Sequence, residues 1–439
     1  MTDPEPEERW RAHSAAIAAA EKDPTLSPET GRPVPRAFLA RFGAGFIIFG
    51  VLWMTGLAIV MSVLLPQHLK SVVPNPDTFN GTMNAFTAVA SLVANIVFGN
   101  FSDRTRSRFG RRTPWVVGGA ILGGVTLFLT GTTTSAPLLI TFYCLAMVGL
   151  NMMLAPLVAL LSDRIPEGNR GAMSAFFGAG QVLGQPIGVI IGSRFVGHLI
   201  SGFIAAGILM AVAGLIALMI LPREMSAQHL PKDEGTLGDV VRSFKPPRFL
   251  DHRDFYRAFG GRLCMLVSYQ MIMVYQFFIL QKYIGLGTQA TADTLAVLAT
   301  ITMVVSVIGS LISGPLSDKI GRRKVPVVVA SVLFALGVAM PLIWPSVTGM
   351  YLYAGIAGFG NGVYMSVDQA LNVDVIASKE EAGKDLGILN LATTLGQMCG
   401  PLVTSQIFRM TGSYTWAFPT SILFALLGCV FILRIKSVK

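Results

Sequence analysis

Charged residues are scarce in this chain. They make up 13% of its 439 residues, whereas hydrophobic residues make up 52%. A soluble globular protein carries about 25% charged residues, and one water-soluble core cannot bury so large an apolar share. The composition therefore excludes an ordinary soluble domain and indicates a protein that crosses a membrane several times.

Residues that ligate metals or act as nucleophiles are also few. The chain has five histidines and four cysteines. No two cysteines are spaced as Cys-x-x-Cys, and neither a His-Glu-x-x-His motif nor a Ser/His/Asp grouping occurs. The cysteines, all inside apolar runs, are Cys144, Cys264, Cys399 and Cys429. The sequence predicts no metal or redox centre, no bound organic cofactor and no enzymatic activity.

The basic residues do not form a nucleic-acid-binding patch, although the net charge is +10. Of the 34 lysines and arginines, 29 lie in connecting segments that would share one side of a membrane. Cytoplasmic loops carry such an excess. We therefore expect a multi-pass protein of the cell membrane with both termini in the cytoplasm, surrounded by lipid and not bound to nucleic acid.

Long apolar runs are what the sequence has in abundance. A helix needs ~20 apolar residues to cross the hydrocarbon core, and about twelve runs are that long. They are continuous and rich in leucine, alanine and glycine, which favours helices over the alternating strands of a β-barrel. The predicted membrane segments, numbered 1 to 12, are 43–66, 82–102, 114–133, 137–161, 171–193, 199–221, 258–281, 293–316, 325–344, 349–373, 385–407 and 415–435.

The regions around these segments predict four parts. Residues 1–40 contain six prolines among charged residues, which is typical of a disordered cytoplasmic tail. Residues 223–256 mix proline with both signs of charge and predict a cytoplasmic linker. The linker separates two bundles of six helices, at residues 41–222 and 257–439.

One short signature occurs twice. The first copy contains Gly99, Asp103, Arg104, Gly110, Arg111 and Arg112, and the second contains Gly314, Asp318, Lys319, Gly321, Arg322 and Arg323. The two aspartates are 215 positions apart, and the first copy has four extra residues. Later matches, such as Gly149 with Gly360, are accordingly 211 positions apart. The chain is therefore a duplicated unit.

Twelve predicted helices in two halves, with this signature after segments 2 and 8, resemble the major facilitator superfamily over residues 40–436. The resemblance implies an all-α membrane protein whose two six-helix bundles rock around a central substrate site. It also implies that the signature braces one state of the transport cycle. The gating residues carried over are Asp103, Arg104, Arg112, Asp318, Lys319 and Arg322. Alternatively, these residues form a tight turn flanked by charges that set the topology.

The longer first copy of the signature, from Ser102 to Pro114, narrows the resemblance. It is similar to the corresponding stretch of the plant-type sucrose/proton symporters and of the glycoside/cation symporters related to melibiose permease. The run from Gly383 to Ala392 adds to the sucrose-type similarity. Both relatives imply a glycoside as the substrate.

The acidic residues that couple transport to an ion in those relatives are missing here. Ser91 and Asn95 stand where the melibiose-type carriers have two aspartates, and Met147 stands where the plant carriers have an acid. Asp368 in segment 10 and Arg262 in segment 7 are the ionisable residues within predicted segments, and such residues are functional candidates by default. They lie ~9 Å and ~7.5 Å from the cytoplasmic ends of their helices. We expect them to form an ion pair that couples transport to protons. The alternatives are a permanent structural ion pair and an Asp368 that is bonded only to neighbouring backbone groups and amides.

Uncharged polar residues share faces with this pair. In segment 10, Asn361, Tyr364 and Asp368 recur every three or four residues, which is one face of a helix. Such a face can bind the hydroxyls of a sugar, while an indole provides an apolar platform. The predicted substrate-binding residues are Trp53, Asn95, Asn151, Gln181, Tyr269, Gln276, Asn361, Tyr364, Asn390 and Gln397. Each can instead join helices through interhelical hydrogen bonds.

The sequence therefore predicts a monomeric carrier that imports a sugar or glycoside with protons, with a sucrose-like disaccharide favoured. One alternative is a proton-antiporting exporter of a drug or secondary metabolite. Gly180, Gly184, Pro186 and Gly188 approach the glycine-rich motif of superfamily antiporters, although glycine also serves close helix packing. The other alternative is a nutrient sensor of the same fold that transports nothing.

Overall fold

The computed structural model describes residues 6–228, 247, 252–320, 324–375 and 382–436. These residues fold into helices, with one isolated antiparallel bridge between Leu26 and Pro33. The helices are α1 Pro6–Lys22, α2 Arg36–Ile59, α3 Leu65–Val72, α4 Pro76–Arg104, α5 Thr113–Thr132, α6 Ala136–Arg164, α7 Glu167–Arg194, α8 Leu199–Ile220, α9 Arg253–Met273, α10 Gln276–Phe278, α11 Thr288–Ile320, α12 Lys324–Ile343, α13 Val347–Asp374, α14 Ala382–Thr411 and α15 Ala417–Leu433.

Each of the twelve predicted membrane segments coincides with a helix or with a pair of consecutive helices. Among the described residues, eight helical stretches are long and apolar enough to cross a membrane, and α9 with its continuation to Tyr283 makes a ninth that is bent by 43°. The remaining three predicted segments lie on α13, α14 and α15. The predicted all-helical membrane fold is confirmed.

Two short π-helices interrupt these spans. The first, Val60–Leu64, joins α2 to α3, and the second, Ile279–Tyr283, follows α10. They occupy similar places in predicted segments 1 and 7, which are counterparts in the duplication. A π-helical turn widens the helix and weakens its regular hydrogen bonding, and such turns are frequent at functional sites.

The chain divides into two compact units. The first unit comprises Met1–Val60, Ala90–Gly188 and His198–Leu237, and the second comprises Met61–Val89, Val189–Gly197 and Gly238–Lys439. In the first unit α5 packs against α6 and α8, and α8 also packs against α2. In the second unit α9 packs against α14 and α15, and α13 packs against α11 and α12.

Glycines on α7 bring this helix against the backbone of α2. Added Cβ atoms on Gly180, Gly184 and Gly188 would lie 2.4 to 2.6 Å from the carbonyl oxygens of residues 47, 51 and 55 of α2. The spacing of four residues on both helices puts these contacts in one row. Only glycine allows so close an approach, so this series has a packing role.

The N-terminal tail differs from the prediction. Residues 6–22 form α1, and the following loop is anchored on Arg164 at the end of α6. Glu29 pairs with the Arg164 guanidinium at 2.7 Å, and Ser27 donates a hydrogen bond to the Arg164 carbonyl at 2.8 Å. The disorder that the proline content predicts for the tail is not found in these described residues, because a buried arginine elsewhere in the chain supplies the partner that orders the loop.

Candidate functional site

A buried ion pair lies within the second unit. Arg262 on α9 donates from Nη1 to Oδ2 of Asp368 on α13 at 2.7 Å, and the side chains are 7% and 5% exposed. Each of these two buried charges is stabilised by the other. Removal of either one would leave the other buried without a counter-charge, which is strongly destabilising. The structure brings together the two intramembrane charges that the sequence singles out.

Further polar groups complete the surroundings of the pair. The second arm of the Arg262 guanidinium, Nη2, donates to Asn390 Oδ1 and to Thr393 Oγ1, both at 3.2 Å. Asn372 donates from Nδ2 to Asp368 Oδ2 at 3.0 Å. Arg262 Nε and Asn372 Oδ1 are buried and have no hydrogen-bond partner among the described residues. The site therefore joins three helices, and an Arg262 donor and an Asn372 acceptor in it are unused.

Local sequence explains this geometry. Asp368 and Asn372 are four residues apart on α13, and Asn390 and Thr393 are three apart on α14, so each pair lies on one helix face. Glycine brings α14 close to α9: an added Cβ on Gly396 would lie 2.6 Å from the Leu266 side chain. The close approach lets the short side chains of α14 reach the guanidinium.

A second polar group lies further along the same helices. Gln276 donates to the Tyr353 hydroxyl at 3.4 Å, and the Tyr269 ring lies 6.0 Å from the ring of Phe334. Tyr353 is not among the residues predicted from the sequence. Tyr353 stands eight residues before Asn361 in segment 10, which is two further steps of the helical spacing. The sequence pattern therefore places it on the same helix face.

The remaining candidates of the second unit differ in exposure. Tyr364, one turn before Asp368 on α13, is buried, and Asn361 is half-buried on the same helix. Asn390 and Gln397 on α14 are exposed. These four candidates lie on two helices, α13 and α14.

The predicted residues of the first unit form a smaller group. Asn95 on α4 donates to Asn151 Oδ1 on α6 at 3.3 Å, and Asn151 donates to the carbonyl of Met147 at 2.9 Å. Trp53 on α2 is 6% exposed, and its Nε1 donor has no partner among the described residues. Gln181 on α7 is half-buried. The asparagine pair joins α4 and α6 by one hydrogen bond.

The first copy of the repeated signature forms a charged cluster around Arg112. This side chain is 4% exposed, and it pairs with Asp103 at 2.5 Å and with Asp163 at 3.0 Å. Burial opposes the charge, but the Asp163 and Asp103 carboxylates outweigh it and raise the pKa of the Arg112 guanidinium. Asp163 was not predicted as a gating residue. Arg104 Nε, by contrast, is buried without a hydrogen-bond partner among the described residues.

An acidic residue of the linker closes this cluster. The Glu224 carboxylate accepts hydrogen bonds from the backbone amides of Arg111, Arg112 and Thr113, at the start of α5, at 2.9 to 3.1 Å. A carboxylate is favourable there because the first amides of a helix carry partial positive charge. Gly110 precedes them with a φ of 94°, a conformation that glycine adopts readily. The four extra residues of the first copy lie before this glycine, between Arg104 and Gly110.

The second copy of the signature lies largely outside the described residues. Arg322 lies outside the described residues, and the side chains of Asp318 and Lys319 lie outside them as well. The role carried over to these three residues stays a prediction.

Comparisons with known proteins agree with this architecture. The family model described as Major Facilitator Superfamily matches residues 37–292 and 261–439. An uncharacterised transporter of Schizosaccharomyces pombe is 30% identical over 140 residues, which are 32% of this chain and 28% of that protein. The MFS transporter asaE of Aspergillus flavus is 22% identical over 400 residues, which are 90% of this chain and 85% of that protein.

A solved structure shares the fold. A bacterial homologue of the human lysosomal transporter Spinster, in an inward-facing and occupied conformation, aligns with a TM-score of 0.70 at 14% identity, covering 92% of this chain and 98% of its own. Both halves of the chain consist of helices in the described residues, and the family model matches both halves. The chain belongs to the major facilitator superfamily and is a multi-pass membrane transporter.

Proposed function

We propose that the protein takes up a neutral polyhydroxylated solute, a sugar or glycoside, together with protons by alternating access. The observation that carries the proposal is the buried Arg262–Asp368 pair with its partly unsatisfied polar surroundings. A sucrose-like disaccharide is the favoured solute on the resemblance of the longer signature copy.

Asp368 is the proposed proton acceptor. Its carboxylate holds both Arg262 Nη1 and Asn372 Nδ2 on the same oxygen. When Asp368 takes up a proton, its attraction for the guanidinium is lost, while Arg262 keeps Asn390 and Thr393 as partners. Helices α9 and α14 would then separate more easily from α13. A change of this kind shifts the balance between two conformations of a bundle.

The charge balance supports a neutral solute. One buried cation is matched by one buried anion, so no net charge is left to bind a phosphorylated or strongly anionic compound. The unused donor of Arg262 and the unused acceptor of Asn372 are buried, and a buried polar atom without a partner costs ~1 to 3 kcal/mol. Hydroxyl groups donate and accept, so a polyol can satisfy both atoms.

The sequence feature that favoured an exporter, the glycine series on α7, has another explanation. The glycine series on α7, which resembles an antiporter motif, packs against the α2 backbone. The series is therefore accounted for by close packing.

The decisive experiment is uptake into proteoliposomes across a panel of labelled mono- and disaccharides, with and without an acidic exterior. We expect one neutral sugar or glycoside to accumulate when the exterior is acidic, with alkalinisation of the external medium. Asp368→Asn should abolish accumulation and keep exchange of labelled for unlabelled solute, because only the proton-dependent step is lost. Asp293→Asn, which neutralises an exposed aspartate of α11, should behave as the parent protein.

Two results would contradict the proposal. An Asp368→Asn protein that still concentrates the solute against a gradient would rule out this aspartate as the proton acceptor. Acidification of the external medium during solute uptake would indicate antiport.

A further inference from the structure

Five arginines stand close together where α4 ends and α5 begins, between residues 104 and 112. Arg111 and Arg112 pair with acidic residues of the signature cluster described above. Arg104 and Arg108, by contrast, form no ion pair among the residues that the structure describes. The connection between the two helices therefore carries two cations that lack a counter-charge in the described part of the chain.

Hydrogen bonds to Ser107 fix the turn that carries Arg108. The Ser107 carbonyl accepts from the amides of Gly110 at 3.2 Å and Ala227 at 3.0 Å, and Ser107 Oγ accepts from the Phe109 amide at 3.1 Å. The Arg108 guanidinium lies 4.7 Å from the centre of the Phe109 ring. Phe109 is 57% exposed, and Arg108 is exposed as well. An ordered turn thus presents a cation and an aromatic ring side by side.

An aromatic cluster lies next to this turn, at the end of α4. Phe98 and Phe101 lie against Trp115 of α5, with ring centres 5.5 and 5.9 Å away. The Trp115 Nε1 group donates to Thr105 Oγ1 at 2.6 Å, which ties the start of α5 to the end of α4. Tryptophan is enriched where the hydrocarbon of a membrane meets the headgroups. The cluster of Phe98, Phe101 and Trp115 is therefore placed at the depth of the lipid headgroups.

Arg104 ends an exposed apolar face of α4. Val93, three turns earlier on the same row of the helix, is 54% exposed, and Phe101, one turn earlier, is 38% exposed. Exposed apolar side chains of a membrane-spanning helix contact lipid. Arg104 itself is half-buried, and its Nε has no hydrogen-bond partner among the described residues. A cation in this position is stabilised by an anion that the membrane supplies.

We infer that the connection between α4 and α5 binds an anionic phospholipid, with Arg104 and Arg108 as the groups that pair with its headgroup. Arginine suits a phosphate group because its donors form a planar fork. Phe109 enters the interface beside the headgroup, and the first carbons of the acyl chains lie on the aromatic cluster. The topology predicted from the basic residues puts this lipid in the cytoplasmic leaflet.

Charge and apolar surface together point to a lipid. Arg104 and Arg108 would attract any anion, but a free anion gains nothing from exposed aromatic rings. A phospholipid satisfies both features, since it carries a phosphate and hydrocarbon in one molecule. The inference does not depend on the transported solute, on Asp368 or on the gating role that the resemblance implies for Arg104.

Quenching of tryptophan fluorescence by brominated phospholipids tests this site. Trp115 is made the sole tryptophan of the full-length protein by replacing the four others with phenylalanine. The protein is reconstituted in phosphatidylcholine vesicles that contain equal amounts of either brominated phosphatidylglycerol or brominated phosphatidylcholine. The ratio of the two association constants measures the preference of the site for the anionic headgroup.

Trp344 as the sole tryptophan is the matched control. It is 54% exposed directly after α12, and no lysine or arginine occurs between Lys324 and Lys379. We expect a ratio close to one at Trp344. At Trp115 we expect a ratio of about 20, because each arginine near an anionic membrane surface contributes about fivefold to binding.

Substitutions identify the groups that bind the headgroup. Arg104→Gln and Arg108→Gln should each lower the ratio at Trp115 about fivefold. Arg36→Gln, which removes an exposed arginine at the start of α2, should leave the ratio unchanged. Since Arg108 is exposed in a loop, its replacement tests the site even where Arg104→Gln fails to fold. A sole tryptophan introduced by Phe109→Trp should also be quenched more strongly by the anionic lipid.

Three results would overturn the inference. The first is equal association of the two lipids at Trp115 in the parent protein, and the second is the parental ratio in Arg108→Gln. The third is displacement of the brominated lipid by inorganic phosphate, which would show that the arginines take a free anion. None of these readouts requires transport, so they are separate from the outcome of the sugar panel and of Asp368→Asn.

Discussion

At the scale of single residues, Arg262 has the contacts that most directly support the proposed function. One nitrogen of the guanidinium binds Asp368, and the other binds Asn390 and Thr393. Arginine presents its donors as a planar fork, so it can hold two helices at once and keep one set of partners while it releases the other. A lysine in the same place offers a single point charge.

Arg262→Lys should therefore reduce proton-driven accumulation about tenfold, because hydrogen bonds to a charged group are worth ~1.5 kcal/mol or more each. Arg257→Lys, on the same helix and paired with Asp254 in a more exposed setting, should leave accumulation unchanged. Both are measured as the steady-state ratio of internal to external solute in proteoliposomes. Parental accumulation by Arg262→Lys would show that charge alone suffices at this position.

At the scale of helices, small residues decide which elements can touch. The row of glycines on α7 meets the carbonyl oxygens of α2, and Gly396 brings α14 to α9. In lipid no hydrophobic effect drives helices together, so van der Waals contact between close backbones holds them. The same packing sets the distance across which polar side chains of the site can meet.

Gly184→Ala should destabilise the protein, since its Cβ would lie 2.6 Å from the Val51 carbonyl oxygen and the helices would have to separate. Overpacking of this kind costs ~1 to 3 kcal/mol. Gly178→Ala is the matched control on the same helix, because nothing lies within 4 Å of its added Cβ. The measurement is thermal unfolding in detergent. Equal midpoints for the two variants would mean that α2 and α7 are not in backbone contact.

At the scale of the whole molecule, the tail and the linker are part of the first unit. Arg164, 4% exposed, pairs with Glu29 and donates to the carbonyls of Pro222 and Arg223. Glu224 then binds the first amides of α5. One buried guanidinium at the end of α6 thus connects the segment before the first six-helix bundle to the segment after it.

Glu29→Gln should lower the stability of the first unit by about 1 to 3 kcal/mol, because it leaves the buried Arg164 with less counter-charge. Glu21→Gln, in an exposed position of α1, is the control and should have little effect. The midpoint of thermal unfolding and the rate of proteolysis before residue 36 measure the two variants. Unchanged proteolysis of Glu29→Gln would show that the tail is not held by this pair.

Much of the fold was predictable because membrane-spanning helices leave a simple pattern. A run of ~20 apolar residues has few alternatives to a spanning helix, since every backbone polar group must be satisfied within the segment. The polar face of α13 was equally accessible, because Asn361, Tyr364 and Asp368 follow the helical period. Tyr353 was missed only because the same period was not followed further.

Other parts of the site depend on residues that are distant in the sequence. Asp163 and Glu224 complete the cluster around Arg112 from two other segments, and neither contact follows from spacing. Asp77, in the first turn of α4, is 1% exposed although it stands before predicted segment 2. Its burial comes from Tyr414 and Lys282, which are more than 200 positions away, and from Tyr275.

The sequence by itself determined the class of protein, the twelve segments, the duplication and the two intramembrane charges, because hydropathy, period and repetition are local properties that any chain in lipid must obey. The tertiary structure alone decided which charges meet, that the tail is folded, and that Asp77 is buried among two tyrosines and a lysine. Those outcomes depend on distances between helices, which close contacts at glycines set and which no local pattern in the chain records.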